Sequence, residues 1–164
     1  MRNIKKNLVV YYSLTGNTKK IALEIAKRLN ADVDEIKDEK ERKSIMGFIK
    51  SGYEAVLKKT PKIRYKMNSG KYSHVIIGTP TWAQNISSPI RTYLIENKEK
   101  IKEVSFFATH SGKNEQNVFL NMEETLSKKP KYKLSFNSKE INNGKFREKI
   151  TSSFGKNKCP KVKV

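Results

Sequence analysis

Three short stretches of this 164-residue chain combine residue types that handle anions and flat rings. The first, Ser13-Leu14-Thr15-Gly16-Asn17-Thr18, supplies three hydroxyls and a glycine just ahead of a segment with helical periodicity. Free amides at a helix start, together with the helix dipole, make an anion site. The same Ser, Thr and Asn residues are also ordinary helix caps. The stretch contains no Lys and does not follow the G-x-x-x-x-G-K-[ST] pattern, so it is not the loop of an ATPase or GTPase. Hydroxyls and amides without a Lys suit a phosphate that is held, not transferred. The second stretch, Gly78-Thr79-Pro80-Thr81-Trp82-Ala83-Gln84-Asn85, carries the only Trp. An indole just past a buried strand either stacks on a heteroaromatic ring or covers the strand end. The third, Thr109-His110-Ser111-Gly112-Lys113-Asn114, is short and polar. Its amides and hydroxyls suit the edge of a planar ring. His110 is either a proton donor or a solvated, structural histidine.

The segments between these stretches must place them. Leu8 to Tyr12, His74 to Ile77 and Val104 to Ala108 are apolar runs with little polar alternation, as in strands buried on both faces. Tyr132, Leu134 and Phe136 alternate with polar residues, which suits an edge strand, and Ala31 to Ile36 reads as a second, acidic edge. Helical stripes fall between them: Ile21, Ala22, Ile25, Ala26 and Leu29; Ile45, Ile49, Tyr53, Val56 and Leu57; Ile90, Tyr93 and Leu94, with Ile101 at the exit; Val118, Phe119, Met122 and Leu126; and a short Phe146, Ile150 and Phe154. The basic stretch Lys58 to Lys71 reads as a connection into the third strand. This βαβαβαβαβα alternation predicts an α/β fold, a single-domain doubly wound parallel sheet of five strands in the order 2-1-3-4-5 with helices on both faces. In such a sheet, ligands bind beyond the carboxyl ends of the strands where the order reverses. The three polar stretches leave the first, third and fourth strands at that end. The domain is expected over residues 1–154, with 155–164 as a basic, flexible tail.

The composition narrows the classes. Lys+Arg number 35 against 16 Asp+Glu, a formal net charge of +19. No apolar run approaches the roughly 18 residues of a membrane span. The basic start Met1 to Lys6 is followed by an apolar run too short for a signal peptide, and the expected location is the cytoplasm. The single Cys159 excludes an internal disulfide and a cysteine-ligated metal cluster.

Taken in order, the three stretches resemble those of the flavodoxins and flavodoxin-like FMN proteins. Ser13-Leu14-Thr15-Gly16-Asn17-Thr18 is similar to that family's phosphate loop, a hydroxyl residue followed by x-Thr-Gly-x-Thr. Gly78 to Ala83 and Thr109 to Gly112 strengthen the match, and the order of strands and helices extends it from about Lys6 to Phe154. The resemblance implies FMN as cofactor. Ser13, Thr15 and Thr18 would then donate hydroxyls to its phosphate, within a loop that includes Leu14, and Gly16 and Asn17 would give amides. Thr79 and Pro80 would line the ribityl chain and the inner ring face. Trp82, between Thr81 and Ala83, would flank the ring, and Thr109, His110, Ser111 and Gly112 would meet its pyrimidine edge. The chain departs from the family in having no aromatic residue in the loop after the fourth strand and no acid there before Glu115. No sizeable insertion interrupts Lys131 to Asn137, so it resembles the shorter type.

The resemblance implies electron transfer. One alternative is an NAD(P)H-dependent flavin or quinone reductase in which nicotinamide stacks on the same FMN. The charge also raises a remote alternative, a basic nucleic-acid-binding module, but Arg is scarce and no helix-turn-helix, zinc-finger or RNA-recognition pattern is present. The expected partners are redox proteins with acidic surfaces.

Overall fold

The computed structural model describes residues 5–39, 57–112 and 116–155. Five parallel strands form the main sheet: β1 (Lys5–Tyr11), β2 (Asp32–Glu35), β5 (Tyr72–Trp82), β7 (Glu103–His110) and β8 (Lys133–Asn137). Their order is β2-β1-β5-β7-β8. This is the expected reversal, with the acidic segment and the alternating segment at the two edges.

Alternation along each strand divides the core into two layers. Leu8, Val10, Val75, Ile77, Val104, Phe106 and Ala108 face α2 (Ser88–Asn97) and α3 (Gln116–Leu126), where Ile90, Tyr93, Leu94, Val118 and Met122 complete one cluster. Val9, Tyr11, Ile76, Phe107, Leu134 and Phe136 face the other way. They meet Ile21, Ala22 and Ile25 of α1 (Asn17–Leu29), Ile141 of α4 (Ser138–Asn143), and Phe146, Ile150 and Phe154 of α5 (Phe146–Phe154). Gly78 and Phe107 pair across β5 and β7. A Cβ on Gly78 would stand 1.9 Å from the Phe107 ring, so glycine lets that ring lie flat over the neighbouring strand.

Three features differ from the sequence expectation. β5 does not end at Ile77 but runs on through Thr79, Pro80, Thr81 and Trp82, then folds back as β6 (Asn85–Ile86). The two residues of that turn, Ala83 and Gln84, have φ of 46° and 62°. A two-residue turn with both φ positive matches the right-handed twist of the strands it joins. The basic stretch is more than a connection. It holds β4 (Ile63–Arg64), paired antiparallel with β3 (Lys37–Asp38), and its Lys66 and Met67 amides donate to the buried Asp34 carboxylate at 2.9 Å and 2.6 Å. The expected last helix is present as α5, and an unexpected short helix, α4, precedes it.

The expected helix over Ile45 to Leu57 lies outside the described residues except for Leu57, as do residues 156–164 of the expected tail. Among the described residues no helix is long and apolar enough to cross a membrane.

Candidate functional site

β1, β5 and β7 deliver the three polar stretches to one end of the sheet, where they enclose a cleft of about 240 Å³. Leu14, Thr15 and Asn17 form one wall, Pro80, Thr81 and Trp82 a second, and Thr109, His110 and Ser111 a third. Ser138, at the start of α4, also lines it. None of these side chains is a Lys, Arg, Asp or Glu, so an anion held here among the described residues meets neutral donors.

The first loop is shaped by Ser13 and Gly16. The Ser13 hydroxyl accepts from the Gly16 amide at 3.1 Å and the Lys19 amide at 3.2 Å. With both lone pairs engaged, its O–H remains available as a donor. Gly16 takes φ of 97°, in the left-handed region, and nothing lies within 4 Å of where its Cβ would be. That conformation turns the chain directly into α1, leaving the Asn17 and Thr18 amides without an intrahelical carbonyl. No acid stands in the first turn of α1 to compensate its dipole.

The second wall is the extended β5. Trp82 is 4% exposed and meets the Tyr12 ring edge-on at a centroid distance of 5.5 Å. It therefore covers the strand end, as one of the two sequence alternatives had it, and also lines the cleft. The Thr81 hydroxyl oxygen is buried and has no hydrogen-bond partner, although its residue borders the cleft. On the third wall, His110 Nδ1 donates to the Gly112 carbonyl, which fixes the proton on Nδ1. Nothing lies within 4 Å of a Cβ placed on Gly112.

Other expected site residues hold the walls together and do not line them. Thr18 is 1% exposed, and its hydroxyl lies 2.8 Å from that of Thr109, tying the start of α1 to the end of β7. Thr79 is fully buried. Its hydroxyl bonds the Pro80 carbonyl at 2.8 Å and Ser87 at 3.1 Å, fastening β5 to the start of α2. The Gly16 amide is engaged by Ser13, and Ala83 is exposed at the hairpin tip. In this structure the Thr18 and Thr79 hydroxyls and the Gly16 amide are thus engaged by other groups of the chain. Ser138 escaped the sequence reading. Its hydroxyl donates to the His110 carbonyl at 3.2 Å. The signal that could have found it is Asn137-Ser138-Lys139-Glu140, a capping box in which Asn137 and Glu140 each accept the other's amide at 2.9 Å.

The flank of the first loop is electrostatically mixed. Burial pushes the Tyr11 hydroxyl up to about 12, and the Glu35 carboxylate beside it adds to the shift. Burial works against ionised Glu35, yet ion pairs with Lys37 at 2.9 Å and Lys19 at 3.4 Å hold its carboxyl below the usual range.

A protein-family model described as flavodoxin matches residues 6–157. No curated protein matches the chain. Among solved structures, a flavoprotein from Lactobacillus acidophilus NCFM in complex with FMN is 24% identical, with a TM-score of 0.70 over 85% of this chain and 97% of that one. The apo form of the flavoprotein from the same organism is 26% identical, with a TM-score of 0.63 over 84% and 95%. Oxidised flavodoxin 2 from Bacillus cereus shares the fold at 17% identity, with a TM-score of 0.53 over 91% and 99%. With the family model spanning nearly the whole chain and the doubly wound sheet in place, this chain belongs to the flavodoxin family.

Proposed function

We propose that this protein binds FMN in the cleft and transfers electrons through it. The observation that carries the reading is the meeting of three strand-end loops around one cleft. A lysine-free set of hydroxyls and amides opens α1 on one side, and an indole stands on the other. The donor set fits the group. The Ser13 O–H, the Thr15 hydroxyl and the amides of Asn17 and Thr18 suit a phosphate that is held in place. Pro80, Thr81 and Trp82 offer a flat wall for the ring, and the unpartnered Thr81 hydroxyl is available to a polar group of the ligand. His110 and Ser111 meet the far edge. Bound FMN supplies the redox chemistry, and the chain's own residues bind it, orient it and shield one face.

The charge of the rim points to the class of partner. α1, α2 and α3 all begin at the cleft end of the sheet, and none has an acid in its first turn. With a net charge of +19, the protein suits a redox partner with an acidic docking face.

One observation favours a second reading, in which the protein is a reductase using NADH or NADPH. Among the described cleft-lining residues Trp82 is the single Phe, Tyr or Trp, which suits a second ring face open to a nicotinamide.

Colour tests the cofactor: the purified protein is expected to be yellow and to release a chromophore that migrates as FMN on denaturation. Mixing the yellow protein with NADH or NADPH separates the two roles. Rapid bleaching of the flavin band favours the reductase, and an unchanged spectrum favours the carrier.

A further inference from the structure

Arg91, in the first turns of α2, is 5% exposed. Its Nε and Nη2 are both buried and have no hydrogen-bond partner, and no ion pair joins it to an acid among the described residues. These two nitrogens are the parallel donors on one side of the guanidinium, the side that grips an oxyanion with two bonds. Ser88 lies three residues earlier on the same helical face, fully buried, and its hydroxyl oxygen also lacks a partner. Helical side chains lean toward the N-terminus, so Arg91 and Ser88 share the face of the first turn. That turn contains no acid, so the positive end of the helix dipole is uncompensated there. An arginine keeps its charge at any ordinary pH, and a buried charge without a counter-charge is strongly destabilising. Burial also draws the guanidinium below its usual value. Such a fork is completed by an anion.

We propose that the first turn of α2 is a second anion site, separate from the cleft, in which Arg91 and Ser88 bind a tetrahedral phosphate-type oxyanion. The near-complete burial of both residues favours a small ion over a bulky one. The ion makes two bonds to the Arg91 fork, one to the Ser88 hydroxyl and others to the free amides at the helix start. The site depends on neither FMN nor the electron-transfer reading.

Thermal melting of the purified protein in increasing inorganic phosphate, against sodium chloride at matched ionic strength, tests the proposal. Saturating FMN is included so that phosphate acting at the first loop is displaced. The wild-type protein is expected to show a saturable rise in melting temperature specific to phosphate. Arg91→Met should abolish that rise and melt in chloride at or above the wild type, because the uncompensated charge is gone. Arg91→Lys, which keeps the charge but loses the fork, should bind phosphate at least about tenfold more weakly. A parallel titration with adenosine 2′-phosphate separates the sources. Weaker binding than inorganic phosphate assigns the site to the free ion, and tighter binding assigns it to a phosphate carried on a nucleotide. The proposal is overturned if the wild type shows no saturable phosphate response, or if Arg91→Met or Arg91→Lys responds as the wild type does. If the protein fails to take up FMN, the difference between the wild-type and Arg91→Met phosphate responses still reads this site apart from the first loop, so the two readings fail independently.

Discussion

Thr15 and Thr18 stand three residues apart in the first loop and do different work. Thr15 lines the cleft, whereas Thr18 is buried and bonded to Thr109 across the molecule. Thr15→Val is expected to weaken FMN retention about tenfold, the worth of one hydrogen bond to a charged group, with melting unchanged. Thr18→Val leaves the Thr109 hydroxyl without its partner and should cost about 1–3 kcal/mol of stability, read by denaturant unfolding of the apoprotein. Equal effects of the two variants on both measurements would contradict this division. Trp82 packs on Tyr12 in the core as well as facing the cleft, so Trp82→Ala should destabilise the fold by about 3–5 kcal/mol in addition to disturbing the flavin. The loop was legible in the sequence because hydroxyl, glycine and helix start are local. Which hydroxyl lines the cleft was not legible, because the partner of Thr18 is 91 residues away.

At the scale of elements, the parallel strands announced themselves as apolar runs, since strands covered on both faces need no polar alternation. The continuation of β5 through Thr79 to Trp82 was hidden. Pro80 and the hydroxyl residues read as a loop, and the turn uses Ala83 and Gln84 where glycine or asparagine would have signalled it. Replacing that pair by Asn-Gly should raise stability by about 1 kcal/mol, because both positions have positive φ; a fall in melting temperature would count against the turn described here. α4 is six residues long, too short for periodicity to show, and only its capping box marks it.

The β5–β7 ladder carries a pH dependence. His74 lies 2.9 Å from the Ser105 hydroxyl, which accepts the Tyr132 amide. Burial, reinforced by Lys131 and opposed by Glu103, pulls His74 from 6.5 down to about 4. The folded state thus keeps His74 neutral where the unfolded chain protonates it. Its contribution is fully present above about pH 6.5 and is lost as pH falls toward about 4, amounting to about 3 kcal/mol. His74→Gln should flatten the stability curve in that window. An unchanged slope would show that His74 is not held neutral.

For the whole molecule, the charge of +19 bears on the redox chemistry more than on the fold. One charge about 15 Å away in water contributes roughly 0.3 kcal/mol before screening, so clustered lysines together shift a one-electron couple by on the order of tens of millivolts. Reduction of bound FMN adds negative charge, which a basic protein favours. The second reduction potential is therefore expected to be less negative than that of an acidic flavodoxin, as potentiometric titration would read, and the gap should shrink in high salt. The sheet order, the two-layered core and the position of the cleft all followed from alternation and chain order. Arg91 did not, because nothing in its neighbours along the chain marks it as buried. The central claim is that three strand-end loops form one FMN site, and calorimetric titration of the apoprotein with FMN tests it most directly. Saturable binding of one FMN per chain, weakened by Thr15→Val and kept by Arg91→Met, is the expected result. Absence of FMN binding by a folded apoprotein would contradict the account.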